Sequence, residues 1–401
     1  MKTIGIYIHI PFCRSKCDYC DFCSYAGRDE LAQDYQNAVI RHVKEFAPRL
    51  AGYYVDTVYF GGGTPTHYGA SRLIALFDAL KSHLKVLRTA EVTLEANPES
   101  VDVNELYRLR RAGFNRLSLG VQSLDDITLK RVGRIHTAEE ALDAIDRVRE
   151  SGFDNLSLDL IYGLPGQSRE EWAETLNRAL RTTPEHISAY GLTIEENTPL
   201  WRLRNSQDIP NDDAQADMYL YAADTIADAG YQQYEISNFA MRGKESKHNL
   251  KYWRLNEYCG FGCSASSYLG GMRYTYLRDP KEYIKAVNSG AGITIAEETE
   301  TLTPYENAAE YIMLGMRTNY GVSREEYELV YRGGFAPLEQ MLESYIKMGF
   351  AQKRDNRYSF TAKGFLLSNR LIGELLDAQA ERKFQVGTPW RESDYYGTLF
   401  N

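Results

Sequence analysis

The sequence lacks the features that mark several large classes of protein. No apolar run approaches the roughly 20 residues that a membrane-spanning helix requires, and no segment is dense in Lys and Arg. The net charge of -9 argues against a nucleic-acid partner, because phosphate binding needs a clustered basic surface. The first ten residues alternate like a strand and lead into Pro11 without the apolar stretch and cleavage site of a signal peptide. We therefore expect a cytoplasmic protein.

Cysteine is scarce, and its distribution is uneven. Six cysteines in 401 residues are too few for a disulfide scaffold. Four of them fall within the eleven residues 13–23, and the other two lie at 259 and 263. This clustering near the N-terminus indicates a metal-binding loop.

Residues 4 to about 194 alternate short β-rich runs with longer segments of helical period. Apolar residues recur at three- and four-residue spacing in the longer segments, as expected of helices that cover a parallel sheet. The predicted strands are 4–10, 55–60, 91–96, 116–121, 155–161 and 186–194, and the predicted helices are 31–50, 72–84, 103–112, 138–150 and 170–180. Right-handed crossovers would curl such a sheet. The expected fold class is α/β, with a partial (β/α)6 barrel.

The chain is expected to divide into four segments: a core barrel over residues 1–230, an extension over 231–300, a winged-helix-like α+β domain over 301–380, and a loosely ordered tail over 381–401. The barrel segment ends in a helix over 212–229, and the extension starts with a strand-like run over 231–237. The third segment contains three helical stretches, a hairpin around Asp355 and Asn356, and a helix over 362–376. Because the chain is acidic, partner docking suits this domain better than DNA binding.

The cysteine loop follows the first predicted strand directly. Cys13, Cys17 and Cys20 have the spacing Cys-x3-Cys-x2-Cys, which lets one loop place three thiolates around a [4Fe-4S] cluster. Three ligands leave one iron open, and that iron can chelate the amino and carboxylate groups of S-adenosylmethionine (SAM). The alternative is a zinc loop, which normally takes four ligands in two pairs. The spacing favours the cluster.

Motifs along the chain give a specific resemblance. They are YIHIPFC at 7–13, GGGTP at 61–65, LEANP at 94–98, GFNRLSLGVQ at 113–122, GRIH at 133–136 and DLIYGLPGQ at 159–167. On these motifs the chain resembles the radical SAM coproporphyrinogen-oxidase-like family over nearly its whole length. The resemblance implies a radical SAM barrel, a [4Fe-4S] cluster on the three cysteines, SAM as cofactor and a tetrapyrrole as the molecule acted on or carried.

The resemblance also implies which residues contact SAM. The SAM molecule bound to the cluster would be contacted by Tyr7, Gly62 and Glu95. A glycine is needed among them because only a bare backbone can approach the methionine amino group closely. In the oxidase branch, a second SAM contacts positions that match Tyr19, Gly63, Thr64, Gln122, Arg134, Asp159 and Thr193 here. Each residue also has a purely structural interpretation: the glycines as a tight turn, Glu95 and Asp159 as helix N-caps, and Arg134 as a surface ion pair. The number of bound SAM molecules stays open.

Two features separate the branches of this family. The oxidase branch has a long N-terminal arm and a fourth cysteine two residues after the third, whereas this chain reaches Cys13 early and has Phe22 at that position. HNLKYW at residues 248–253 matches the H-N-x-x-Y-W signature of the heme-chaperone branch, in which the histidine is associated with heme. A neutral imidazole is a good iron ligand, and Tyr252 and Trp253 offer flat faces to a porphyrin. His248 is therefore the candidate heme ligand, and the alternative is an ordinary polar core residue.

The expected function is the uptake of heme and its transfer to apo-hemoproteins of the respiratory membrane, at whose surface the protein would act. The cluster and SAM would tune transfer or the formation of a homodimer. The alternative is a radical SAM tetrapyrrole enzyme, either an oxygen-independent coproporphyrinogen III oxidase or a radical methyltransferase. SAM cleavage is compatible with both functions, but coproporphyrinogen oxidase activity is not expected. A third interpretation is a cluster protein whose C-terminal domain serves only regulation.

Three cysteines remain outside the motif. Cys23 lies where the heme-chaperone branch usually has a small polar residue, and it is either inert or an alternative cluster ligand. Cys259 and Cys263 are expected to be small buried apolar residues.

Overall fold

The computed structural model describes residues 1–290, 296–331 and 334–385. The chain divides into two compact units. The larger unit is built from residues 1–232, 239–248 and 257–299, and the smaller one from residues 233–238, 249–256 and the chain from residue 300 onwards. Among the described residues, no helix is both long enough and apolar enough to cross a membrane.

The larger unit is organised around a parallel sheet. Its first strands are β1 (Thr3–Ile10), β2 (Phe12–Cys13), β3 (Tyr25–Ala26), β4 (Tyr54–Gly62), β5 (Val86–Ala96), β6 (Arg116–Gln122), β7 (Leu156–Tyr162) and β8 (His186–Gly191). Strands β1, β4, β5, β6, β7 and β8 lie side by side in chain order, and each pairs in parallel with the next. All their C-terminal ends therefore lie at one edge, where the side chains of a functional site can meet.

The sheet continues at both ends. Beyond β8 lie β10 (Asn238–Ala240) and then β9 (Gln232–Gln233), and beyond β1 lie, in this order, β11 (Tyr258–Phe261), β12 (Ser266–Leu269), β13 (Met272–Tyr276) and β14 (Ala296–Thr301). Strand β11 runs parallel to β1, with Ile8 opposite Phe261, and β12 and β13 add an antiparallel hairpin. The residues that follow β11 thus lie beside those that follow β1.

Helices α1 to α7 lie between successive parallel strands of the series β1 to β8, and three more follow β8. They are α1 (Ala32–Phe46), α2 (Pro65–Tyr68), α3 (Ala70–His83), α4 (Val103–Ala112), α5 (Asp126–Arg131), α6 (Ala138–Glu150), α7 (Arg169–Arg181), α8 (Asp212–Asp228), α9 (Lys247–Trp253), which is shared with the smaller unit, and α10 (Pro280–Asn288). Helices α6 and α7 begin with capping boxes in which Thr137 and Ser168 accept the first free amide hydrogens. These local signals explain why the helix bounds were predictable.

The strands alternate apolar and polar side chains, so the two faces of the sheet differ. On one face, Phe60 of β4 packs against Phe77 of α3 with ring centroids 6.4 Å apart. On the other face, Tyr7 stacks on Tyr59 at 6.1 Å, and Ser118 donates to Asp159. Because successive side chains of a strand point to opposite faces, the helices cover an apolar face and the curved sheet encloses a polar one.

The smaller unit contains five helices and a three-stranded sheet among the described residues. The helices are α11 (Pro304–Gly315), α12 (Arg324–Tyr331), α13 (Ala336–Lys347), α14 (Ala362–Leu366) and α15 (Ser368–Gln385), and the strands are β15 (Val322–Ser323), β16 (Ala351–Arg354) and β17 (Arg357–Phe360). Strands β16 and β17 form the predicted hairpin, with Asp355 and Asn356 at φ of 47° and 60°. Two successive positive φ values give the turn whose twist matches a tight hairpin.

The six predicted strands and five predicted helices of the barrel are confirmed, and the last strand ends at Gly191 rather than at 194. The predicted strand over 231–237 is confirmed only in part: β9 covers Gln232–Gln233, and the backbone bends at residues 236 and 237. The Glu235 carboxylate accepts the Ser237 amide at 3.2 Å and the Asn238 side chain, so the backbone turns between β9 and β10. The predicted helix over 362–376 is two helices, which continue to residue 385. Residues 386–401 of the predicted tail lie outside the described residues.

Candidate functional site

The cysteine loop is closed by a short parallel pairing of β2 with β3, in which Cys13 lies opposite Ala26. Lys16 fixes the far side of the loop by donating from Nζ to the carbonyls of Phe22 at 3.1 Å and Ser24 at 3.3 Å. Cys13 is 8% exposed, while Cys17 and Cys20 are half-buried, and all three are free thiols. One loop therefore presents three unpaired sulfur donors at the end of β1.

The spacing of these sulfurs distinguishes a cluster from a zinc ion. A zinc tetrahedron with Zn–S bonds of about 2.3 Å places its sulfurs roughly 3.8 Å apart. Within the described part of the chain, His9, Cys23 and Cys263 are the only group of three His, Cys, Asp or Glu side chains whose ligand atoms all lie within 4.8 Å of one another. At least one pair of the Cys13, Cys17 and Cys20 sulfurs is therefore more than 4.8 Å apart, which is wider than a zinc tetrahedron and compatible with the larger iron–sulfur cube.

The glycine segment after β4 packs directly on this loop. The Gly63 amide donates to the Ile10 carbonyl at 2.7 Å, and the Thr64 amide donates to that of Phe12 at 2.8 Å. A Cβ atom on Gly63 would lie 2.7 Å from the Phe12 carbonyl oxygen and 3.0 Å from Cys13 Sγ. Gly62 has φ of 115°, a conformation that L side chains rarely adopt. Only glycine lets the backbone lie this close to the thiols.

The predicted contacts of the cluster-bound SAM form one connected set. Glu95, at the end of β5, accepts from the Tyr59 hydroxyl at 2.7 Å and from the Gly62 amide at 3.0 Å. Tyr7 stacks on Tyr59 and bonds to His9 Nδ1 at 3.1 Å. Burial raises the pKa of Glu95, and the two hydrogen bonds oppose that rise. Glu95 therefore does not serve as a helix N-cap, and its carboxylate is held at the strand ends.

A polar network connects two of the loop cysteines through side chains that follow β4, β5 and α5. Thr64 donates to Cys13 Sγ at 3.6 Å and accepts from Asn97 Nδ2 at 3.0 Å. Arg134 donates from Nη2 to Asn97 Oδ1 at 3.0 Å and from Nη1 to Cys17 Sγ at 3.4 Å. The interpretation of Arg134 as a surface ion pair is therefore wrong, because its partners are a thiol, an amide and a backbone carbonyl.

The sequence reasoning missed Asn97, Tyr59 and His9 as members of the site. A usable signal existed for Asn97, which lies in the LEANP motif and precedes Pro98. Its side chain and that of Ser100 form a capping box around the short turn Pro98–Ser100. Tyr59 and His9 lie near the C-terminal ends of β4 and β1, the edge at which a parallel barrel gathers its functional side chains.

The remaining positions that match the second SAM site are more dispersed. Gln122 ends β6 with φ of 65° and lies beside Gly120, whose added Cβ would be 2.9 Å from Gln122 Nε2. Tyr19 packs against the buried cluster of Val132, Ile161 and Leu164. Asp159 accepts from three serine hydroxyls, those of Ser118, Ser157 and Ser188 at 2.7 to 3.3 Å. Thr193 is exposed on the segment after β8.

His248 is fully buried at the first turn of α9. Its Nδ1 lies 2.8 Å from Thr57 Oγ1, and its ring centroid lies 5.3 Å from that of Tyr59. The Glu91 carboxylate accepts the amides of Lys247 and His248 at 3.1 and 3.0 Å, which places a negative charge at the start of the helix. In this conformation the imidazole is a polar partner inside the barrel, beneath the tyrosines of the SAM site.

Comparison with known proteins agrees with this geometry. Residues 7–179 match the model of the Radical SAM superfamily. The chain is 35% identical over 374 residues to the protein named heme chaperone HemW of Bacillus subtilis, with 92% of this chain and 98% of that protein covered. The heme chaperone HemW of Escherichia coli is 34% identical over 379 residues, with 93% and 98% covered. The chain belongs to the HemW family of radical SAM proteins.

A solved structure confirms the fold of this family member. Coproporphyrinogen III oxidase (HemN) from Escherichia coli, described as a radical SAM enzyme, superposes with a TM-score of 0.81 at 25% identity, covering 94% of this chain and 90% of that one. The predicted resemblance and the α/β radical SAM fold are thus confirmed. The predicted cofactors, a [4Fe-4S] cluster and SAM, are those of the superfamily, and the three free thiols of the loop fit the cluster.

Proposed function

We propose that this protein is a heme chaperone, which binds heme and delivers it to apo-hemoproteins. The observation that carries the proposal is similarity over 98% of the length of relatives named heme chaperone HemW. The HNLKYW motif at residues 248–253 supports it, because that motif distinguishes the heme-chaperone branch of the resembled family.

Cys13, Cys17 and Cys20 would hold the cluster, with one iron left for SAM. When bound, the cluster supplies the electron for reductive cleavage of the SAM sulfonium. The chain orients the ligand: Gly62 and Gly63 allow close approach of the backbone, and Glu95, held by Tyr59, presents a carboxylate suited to an amino group.

Heme ligation by His248 belongs to a conformation other than the one described. The imidazole is 0% exposed and bonded to Thr57, so it has to leave the barrel interior before a porphyrin can reach it. The helix that carries it is short, and the Glu91 carboxylate accepts the amides of Lys247 and His248 in its first turn. We therefore expect heme uptake to be coupled to movement of the first turn of α9.

A heme titration of the anaerobically reconstituted protein tests this assignment. His248→Ala should weaken heme binding by at least about tenfold, equal to about 1.4 kcal/mol. The matched control is His186→Ala, because His186 is also buried in the barrel and bonds to a hydroxyl, that of Ser157, at 2.7 Å. Equal heme affinity in the two variants would refute ligation by His248, and a wild-type protein without heme binding would refute the chaperone proposal.

The second candidate function is a radical SAM enzyme that acts on a tetrapyrrole. It is favoured by the match to coproporphyrinogen III oxidase and by the contacts that join Thr64, Asn97 and Arg134 to the loop. It is disfavoured by Phe22, a 69% exposed side chain at the place of the oxidase's fourth cysteine. Anaerobic incubation with dithionite, SAM and coproporphyrinogen III distinguishes the two functions. A decarboxylated product would establish the enzyme, whereas SAM cleavage without such a product would leave the chaperone function as the better supported one.

The proposal also covers the proteins that receive the heme and the place where the transfer occurs. Respiratory membrane hemoproteins are the proposed recipients, reached by a cytoplasmic protein that binds the membrane surface during transfer. The cluster is proposed to control a homodimer, and the winged-helix-like domain to dock the partner. Chromatography with light scattering, before and after cluster assembly, tests the dimer, and heme transfer to membrane vesicles tests the recipients.

A further inference from the structure

Three chain segments converge beside β1, next to the predicted SAM site and on the other side of His9 from Tyr7 and Gly62 in the chain of contacts. His9 lies near the end of β1, and Cys263 follows β11, the parallel neighbour of β1. Pairing of β2 with β3 folds the far end of the cysteine loop back toward β1. Cys23 then lies beside His9, and the Cys23 carbonyl accepts a hydrogen bond from His9 Nε2 at 2.8 Å. Residues 9, 23 and 263 therefore meet although they are distant in the sequence.

The three side chains form a compact group of potential metal ligands. One ligand atom from each of His9, Cys23 and Cys263 lies within 4.8 Å of the other two. The three residues are 5%, 9% and 0% exposed, and both cysteines are free thiols. One imidazole and two thiols form a soft donor set, which Zn²⁺ and similar thiophilic ions prefer.

The surroundings hold this group in place. The Tyr35 hydroxyl donates to the His9 carbonyl at 2.8 Å, accepts the Cys263 amide at 2.9 Å and lies 3.6 Å from Cys263 Sγ. Gly262 has φ of 105°, and a Cβ atom there would lie 2.8 Å from the His9 carbonyl oxygen. A larger residue would push Cys263 away from His9, so the close approach depends on this glycine.

The Cys23 thiol faces this group and not the cluster loop. Sγ of Cys23 lies 3.3 Å from the Arg278 carbonyl oxygen and 3.8 Å from the Tyr25 hydroxyl. Hydrogen bonding from the Cys263 thiol, together with His9, lowers the pKa of Cys23, whereas burial raises that of Cys263. The two sulfurs lie within 4.8 Å of each other, as expected of two ligands for one ion.

We propose that His9, Cys23 and Cys263 form a second metal site, separate from the cluster, which binds one thiophilic divalent ion of the zinc class. Binding would replace the thiol protons by metal–sulfur bonds and release those protons to the solvent. The His9 nitrogen that binds the ion would exchange its present hydrogen bond, that of Nδ1 with Tyr7 or that of Nε2 with the Cys23 carbonyl, for the bond to the metal. Three protein ligands leave a fourth position open, as in zinc sites that keep a place for water or another ligand. The site would fasten the end of the cysteine loop to the strand ends of β1 and β11.

Zinc binding to the full-length, cluster-loaded protein tests the proposal. The protein is treated with one equivalent of Zn²⁺ and desalted anaerobically, and zinc and iron are counted together by mass spectrometry. Wild type should keep about one zinc per chain, and Cys23→Ser should weaken zinc binding by roughly a hundredfold or more without loss of iron. The matched control is Cys259→Ser, since Cys259 is also a fully buried thiol of the same segment but lies outside the group.

Two further measurements separate this site from its alternatives. The variant with Cys13, Cys17 and Cys20 all changed to Ser should still bind zinc, and Co²⁺ in its place should show the charge-transfer bands of two thiolates. Cys263→Ser should also lose zinc. If that variant fails to fold, the comparison of Cys23→Ser with Cys259→Ser decides the question. No zinc on wild type, equal zinc on Cys23→Ser and Cys259→Ser, or zinc lost with the three loop cysteines would each overturn the proposal.

Discussion

Gly62→Ala should destabilise the barrel by more than the backbone strain alone. A Cβ atom at Gly62 would lie 2.5 Å from Cε1 of His9, about 1 Å inside normal contact. The His9 ring cannot move aside freely, because Nδ1 bonds to Tyr7 at 3.1 Å and Nε2 to the Cys23 carbonyl at 2.8 Å. A side chain at positive φ costs about 1–2 kcal/mol, and overpacking adds about 1–3 kcal/mol. The expected loss in free energy of unfolding is about 2–5 kcal/mol.

Urea unfolding of the cluster-free protein, followed by circular dichroism, measures this loss. The matched control is Gly230→Ala, because Gly230 has φ of 94° but an added Cβ would meet nothing within 4 Å. That variant should lose only the backbone part, about 1–2 kcal/mol. Hydrogen exchange in β4 locates the effect. Equal free energies of unfolding for the two variants would refute the reasoning, since they would show that the His9 ring accommodates the methyl group.

Three further predictions concern buried polar groups. Burial raises the pKa of Glu235 to about 7 from 4.5, so the folded state binds the proton more tightly than the unfolded state. The stability that Glu235 contributes is complete below pH 4.5 and falls by roughly 3 kcal/mol as the pH rises through 7. Glu235→Gln should flatten this pH dependence when the free energy of unfolding is measured from pH 4 to 8. Tyr35→Phe leaves the His9 carbonyl and the Cys263 amide without their hydroxyl partner, and should lower the free energy of unfolding by about 1–3 kcal/mol; no change in a urea titration would contradict this role. Arg134→Lys keeps the charge but loses the forked guanidinium whose two nitrogens bond to Asn97 and Cys17. SAM affinity measured by calorimetry should therefore fall about tenfold, with the iron content unchanged. Unaltered SAM affinity would exclude Arg134 from the site.

Local patterns determined most of the fold. Alternation in the strands and three- and four-residue spacing in the helices located all six parallel strands of the barrel, because these periods report which face of each element is buried. One prediction failed in part where a side chain competes with the backbone. At Glu235 the buried carboxyl group accepts the amide of Ser237, and the expected strand bends at that point.

The sequence alone determined the cysteine loop and its family, since Cys13, Cys17 and Cys20 are close neighbours along the chain. Only the tertiary structure decided which distant side chains meet. It placed His248 beneath Tyr59 inside the barrel, and it brought Cys23 to Cys263 and away from the cluster. The physical reason is that β11 lies against β1, a pairing of strands about 250 residues apart that no local period encodes.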